Sequence, residues 1–256
     1  MTKNTNKELS ERIEQLSKKN EQLTRSLSLY LGVNHDLKIG LATIGGFARN
    51  LSNKEDDPNK KQILSIIFNE AYRHETLLRD LKKLYEIESG AEKFSVEYDT
   101  PLFTCVEEIV EKYSRIVGDE FYFENQTNPT FRVGINDGLV KSIFDNLIGN
   151  TIKFNGGVKD IQKPIEIAIG SRDLGEFIQC HYWENGVGIE ESKRDKIFDL
   201  HFRGNSEIPG SGIGMHYVKR IIELSGGNIS LKSGTDQSTP DGHFTEFIFT
   251  LPKSQL

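Results

Sequence analysis

Residues 178–189 read IQCHYWENGVGI, and the two halves of that stretch decide different things. In the first half Ile178, Cys180, Tyr182 and Glu184 fall on one face of an extended chain, with Gln179, His181 and Trp183 on the other. A strand with one apolar and one polar face belongs to a sheet covered on one side. In the second half, Glu184-Asn185-Gly186-Val187-Gly188-Ile189 places glycines where that strand ends. Glycine there lets the backbone turn sharply and approach a ligand closely. The same alternation recurs at Ile165, Ile167 and Ile169 and at Phe247, Phe249 and Leu251. Helices are predicted between and after these strands. One starts at Thr100-Pro101, with Thr100 as cap and proline at the first position, and runs to about Val117. Another is capped by Asn136 or Asp137 and runs to about Phe154, and a third opens at Gly210 with a Val218, Ile221, Ile222, Leu224 stripe. This half reads as a two-layer α/β sandwich.

Before it the period changes. Leu9, Leu16, Leu23, Tyr30, Leu37 and Ile44 recur every seven residues, interleaved with Ile13, Asn20, Leu27, Asn34, Leu41 and Ala48. That is a coiled-coil seam, which a single helix cannot bury. The polar stretch NLSNKEDDPN (residues 50–59) ends the helix, and a second apolar period runs from Ile63 through Ile67, Ala71, Leu77, Leu81 and Leu84 to Ile87, stopping at Gly90. Two helices joined by a short polar loop make a hairpin, and two hairpins make a four-helix bundle. Residues 1–90 are therefore expected to dimerise.

Composition narrows the function. The chain has 256 residues with 32 Lys+Arg against 38 Asp+Glu, a net charge of −6, which argues against a nucleic-acid partner. No apolar run approaches the ~20 residues of a membrane helix, and the opening MTKNTNKELS is too polar for a secretion signal. Cys105 and Cys180 lack metal-ligand spacing, so a reduced, cytoplasmic protein with ordinary thiols is expected.

Two further segments carry chemistry. Gly210-Ser211-Gly212-Ile213-Gly214 opens an amphipathic helix, and free amides without Cβ atoms at such a start suit a phosphate. Asn146, Asn150 and Lys153 fall at i, i+4 and i+7, on one helix face. Amide oxygens are hard ligands suited to Mg²⁺, and lysine is a point charge for phosphate. Taken singly, each glycine segment is an ordinary turn and the Asn/Lys face an ordinary solvated stripe; their order along the chain carries the argument.

In that order they resemble the ATP-binding domain of two-component sensor histidine kinases, a Bergerat-type fold of the GHKL class. The asparagine helix, ENGVGI, KIFDLHFRG (196–204) and GSGIGMHYVKRIIELSGGNISLKS (210–233) match successive nucleotide-binding boxes of that family. Asn34-His35-Asp36-Leu37-Lys38 is similar to its phosphoacceptor box, and LLRDLKKLYEIESG (77–90) to its second bundle helix. The resemblance implies an α+β protein: a coiled-coil extension over 1–27, a dimerisation and phosphotransfer hairpin over 28–90, and a catalytic ATP-binding domain over 91–256. It implies that His35 attacks the γ-phosphate of ATP while Asp36 accepts the other ring proton. Asn150 would hold Mg²⁺ with Asn146 assisting, Lys153 and Arg203 would meet phosphate, Glu184 would read adenine, and Gly186, Gly188, Gly210, Gly212 and Gly214 would line the nucleotide. The implied partners are a second copy of the chain, a response-regulator receiver domain and an upstream sensor protein.

The chain departs from the family pattern at three places. Glu184 stands where the family has aspartate, Ile39 where dual-function members carry Thr or Asn to orient a water, and Gly40 where a helix-bending proline is usual. With Gly45 and Gly46 close behind, each costing roughly 1 kcal/mol relative to alanine, the first helix is expected to bend or fray past His35. A non-catalytic phosphotransfer or scaffold homologue with a decayed ATP site is the alternative that Glu184 raises.

Overall fold

The computed structural model describes residues 36–90, 97–155, 164–204, 208, 210–235 and 243–256. The chain divides into two compact units, one ending at Lys82 and the other spanning Lys83–Leu256. The expected coiled-coil extension, most of the heptad seam and His35 lie outside the described residues.

In the first unit α1 (residues 36–52) and α2 (Pro58–Glu88), whose residues from Lys83 onward belong to the second, form the expected hairpin. Asp57 ends the connecting loop and caps α2, its Oδ1 accepting from the Asn59 N–H at 2.9 Å. The helices meet over small residues. Ala48 and Ala71 are buried, and a Cβ at Gly45 would sit 3.4 Å from that of Ala71 and 3.7 Å from the Phe68 ring. Residues 36–52 are helical throughout, so α1 does not fray there, and Gly45 serves close packing. Of the heptad positions described, Leu41 and Ala48 turn inward, whereas Leu37 and Ile44 are exposed, as are Ile63 and Ile67 on α2.

The second unit is built on a five-stranded sheet, ordered β2 (Phe121–Gln126), β4 (Ile165–Asp173), β5 (Phe177–Glu184), β7 (His243–Pro252) and β6 (Ile229–Thr235). The β2–β4 pair is parallel and the rest are antiparallel. Helices α3 (Leu102–Val117), α4 (Asp137–Phe154) and α6 (Gly214–Leu224) bury their apolar stripes with the inward faces of the strands, including Ile165, Ile167, Ile169, Ile178, Cys180, Tyr182, Phe249 and Leu251. The other face of the sheet carries Gln179, His181 and Trp183 half-exposed, with His181 bonded to Glu246 (2.8 Å) and Gln179 (3.0 Å). A short α5 (Glu191–Arg194) follows the glycine turn.

Asn136 caps α4 as expected, its side chain accepting from Gly138 N–H at 2.8 Å. Thr100 does not cap α3. Thr100–Pro101 (β1) pairs instead with Arg132–Val133 (β3), and the Thr100 hydroxyl donates to the Ile135 carbonyl at 2.6 Å. Pairing with a distant strand satisfies this backbone and leaves the helix to begin at Leu102 without a side-chain cap.

Burial pushes the Cys105 thiol up to about 11 and that of Cys180 up to about 12. Only the thiolate is nucleophilic, so both cysteines should be inert in the folded protein at pH 8. A thiol-disulfide dye should react slowly with native protein and rapidly with both cysteines once urea unfolds it; a fast phase in the native state would contradict this packing.

Candidate functional site

Helix α4 supplies the floor of the site. One side is anchored by Ile143, Phe144, Leu147 and Ile148, all buried. That fixes the polar side bearing Asn146, Asn150 and Lys153. Asn146 donates from Nδ2 to the Ser142 carbonyl at 2.7 Å, which leaves its amide oxygen to face away from its own helix. That oxygen lies 2.6 Å from where a Cβ on Gly214 would be. Lys153 Nζ stands against Gly210 in the same way, while also lying 5.2 Å from the Phe154 ring centroid. Thus the polar face of α4 and the glycine segment that opens α6 are in direct contact. Asn150, half-buried, lies one turn from each of the other two along the same face.

The end of β5 supplies the second part. Glu184 is buried with 8 % exposure, in register with Thr245 on β7 and Ile167 on β4. Its side chain turns back over Gly186: a Cβ there would stand 2.8 Å from both the Glu184 carboxyl carbon and Oε1. The extra methylene relative to aspartate is thus accommodated by the bare backbone of the following turn. Gly188 has φ +73°, in the left-handed region that favours glycine. Beneath Glu184, the Tyr182 hydroxyl shares a 2.7 Å hydrogen bond with Thr151 of α4, tying strand to helix. Burial, with the Glu184 charge adding to it, holds that phenol well above its ordinary range.

Two residues without an expected role hold the turn in place. Asn185 is completely buried; its Oδ1 accepts from Glu166 N–H at 3.0 Å and its Nδ2 donates to the Pro164 carbonyl at 3.0 Å. Ser233 of β6 accepts from Ile189 N–H and donates to the Phe244 carbonyl, both at 2.8 Å. Asn185 was visible as the one polar, non-glycine side chain inside the turn, whereas nothing near Ser233 in sequence announces a partner 44 residues away.

The loop before α6 is less closely tied to these groups. Arg203 donates from Nη2 to the Ile208 carbonyl at 2.9 Å, a bond within its own loop. A Cβ on Gly212 (φ +71°) would fall 2.9 Å from the Phe202 carbonyl oxygen. His201 itself adopts φ 64°. The structure therefore brings Asn146 and Lys153 to Gly214 and Gly210, and Glu184 to Gly186. Asp36 lies exposed on α1 in the other unit. Among the described residues no group of three or more His, Cys, Asp or Glu side chains could hold a metal ion. A divalent cation here would be held by an amide oxygen together with the oxygens of a bound phosphate, which suits Mg²⁺.

Replacing Asn185 by alanine strands the buried Glu166 N–H and Pro164 carbonyl. The expected cost is about 1–3 kcal/mol for an unsatisfied buried group, read as a lower urea midpoint with unchanged slope.

Residues 135–255 match the family described as histidine kinase-, DNA gyrase B-, and HSP90-like ATPase. Over 250 residues the chain is 30% identical to the methanogenesis regulatory histidine kinase FilI of Methanothrix harundinacea, a match covering 96% of this chain and 26% of FilI. The chain thus spans about a quarter of that curated relative. The crystal structure of full-length ShkA in complex with AMPPNP aligns with a TM-score of 0.65 at 17% identity, over 90% of this chain and 46% of ShkA. That of histidine kinase ThkA in complex with response regulator protein TrrA aligns with a TM-score of 0.57 at 24% identity, over 94% of this chain and 66% of the other. At such identities these likenesses establish the fold.

Proposed function

We propose that this chain, whose residues 135–255 match the histidine kinase-, DNA gyrase B-, and HSP90-like ATPase family and which is 30% identical to a regulatory histidine kinase over 250 residues, is a sensor histidine kinase that phosphorylates its own His35 from ATP and passes the group to an aspartate of a response-regulator receiver domain. The observation that carries this reading is the contact of Asn146 and Lys153 with the glycines that open α6, beside a buried carboxylate at the end of β5. Amide, ammonium and bare backbone N–H groups together form a phosphate site. Glu184 supplies the acceptor for an exocyclic amine, as adenine requires.

In the proposed reaction an imidazole nitrogen of His35 forms a bond to the γ-phosphorus while the bond to the β,γ-bridging oxygen breaks, leaving ADP. Asp36 accepts the proton of the other ring nitrogen and raises the nucleophilicity of the first. Lys153 holds phosphate oxygens, and the segment from Gly210 to Gly214 offers its backbone amides. Arg203, which donates to the Ile208 carbonyl within its own loop, is the second cation proposed to meet phosphate. Asn150, with Asn146 beside it, is the residue that would hold Mg²⁺, which neutralises charge on the phosphate oxygens when bound. Gly186 and Gly188 let the turn approach the base.

The exposed Leu37, Ile44, Ile63 and Ile67 support a homodimer, since a hairpin bundle buries such rows only against a second copy. ThkA has been solved with a response regulator, which supports a receiver domain as the partner of this chain too. An upstream sensor protein and a cytoplasmic setting belong to the same reading; among the described residues no helix is long and apolar enough to cross a membrane. The domain limits 1–27, 28–90 and 91–256 are retained as functional divisions, although the boundary between the compact units falls after Lys82, which puts the last turn of α2 with the catalytic unit.

Incubation with γ-labelled ATP should give acid-labile, base-stable phosphate, and His35→Gln should abolish it while ATP binding persists. Label surviving in that variant would end the assignment. For the base, Glu184→Ala should weaken ATP binding by roughly ten- to a hundredfold, the loss of one hydrogen bond to a charged group. Glu184→Asp should bind within a few-fold of the native chain; a much tighter aspartate variant would favour the decayed-site alternative.

A further inference from the structure

The last turn of α2 belongs to the second unit and is fixed within it by named contacts. Ile87 is 1 % exposed, and Glu88 receives the Arg220 guanidinium on both oxygens, Nε to Oε1 and Nη2 to Oε2, the latter at 3.1 Å. Arg220 also donates from Nη1 to Glu223 Oε2 at 2.7 Å, so its fork is aimed by two carboxylates. One turn earlier on the same face of α6 stands His216. His216 Nδ1 lies 2.9 Å from the Phe198 carbonyl oxygen; a carbonyl only accepts, so this nitrogen donates. Phe198 is buried, edge-on to Phe247 at 6.4 Å, and heads the loop that carries Arg203 and leads to Gly210. One face of α6 therefore grips the terminal turn of α2 and the head of the phosphate loop together.

We propose that Arg220 and His216 are positioning residues through which the last turn of α2 sets the placement of Phe198 at the head of the loop that carries Arg203, and so the rate of phosphoryl transfer. The proposal rests on the kinase reading above. A two-pronged Arg–carboxylate pair is directional as well as attractive. The Arg220 and Glu88 side chains keep 28% and 41% of their surface exposed, so solvent screens the pair and its share of stability is small. Orientation is what such a pair supplies best, and variants that lack it should still fold.

The test uses the full chain. AMPPNP affinity, the rate of His35 labelling and the urea midpoint are measured for the native protein, Glu88→Gln, His216→Ala, the double variant and His216→Asn. Each single change should slow labelling about tenfold with AMPPNP affinity within about twofold and little change in midpoint. Because the two residues act in one relay, the double variant should be no slower than the slower single, a coupling well above the ~0.5 kcal/mol additivity limit. His216→Asn keeps a side-chain N–H for the Phe198 carbonyl and should restore most of the rate. Effects that multiply to about a hundredfold, an asparagine variant as slow as alanine, or singles that label at the native rate would each overturn the relay while leaving the kinase reading intact. A native chain that binds no AMPPNP would overturn both.

Discussion

Excluded volume at Gly186, Gly210 and Gly214 governs the arrangement of the candidate site. Glu184, Lys153 and Asn146 each occupy the space that a methyl group at one of those positions would need. The backbone beneath these groups is held, because α4 is pinned on its opposite side by Ile143, Phe144, Leu147 and Ile148 and Glu184 lies within a paired strand. A Cβ would therefore displace the polar tips and leave the elements where they are. The missing Cβ atoms thus keep the charged and amide groups against the glycine backbone, beyond any freedom of turning they give it.

The hairpin solves a related problem differently. Small residues at Gly45, Ala48 and Ala71 let α1 and α2 pack closely, and the larger apolar groups are turned out toward solvent. A hairpin that keeps its bulk on the outside is stable only where that surface finds cover. In the α/β unit the reverse holds. The helices gather the bulk between themselves and the sheet, leaving the other face of the sheet to a network of His181, Gln179 and Glu246.

What could be read from the sequence follows from the range of the forces involved. Strand alternation at 165–169, 178–184 and 247–251, the Asn136 cap and the common face of Asn146, Asn150 and Lys153 are local, and the structure carries each of them. Thr100 misled because a cap signature is also local, and a strand 33 residues away competed for the same backbone. The fraying expected from the glycines in α1 fails for a similar reason. Propensity counts their cost, whereas the packing of Gly45 against Ala71 depends on another helix. The contact of Glu88 with Arg220 joins residues 132 positions apart, and no periodicity could have shown it. Ser233 is alike: an ordinary strand serine until the turn arrives above it.

The order of strands has a consequence for how the protein is made. β7, the last strand in sequence, lies inside the sheet between β5 and β6, and it brings Thr245 beside Glu184. Until His243–Pro252 has emerged from the ribosome, β5 and β6 each lack a neighbour, and an unpaired apolar edge invites aggregation. Synthesis adds about 5–20 residues per second, so the earlier strands wait in that state for seconds while the remainder is translated. A chain interrupted anywhere before residue 243 would not be a shorter version of this domain. It would lack the strand that joins β5 to β6, and with it the residue opposite the proposed adenine acceptor.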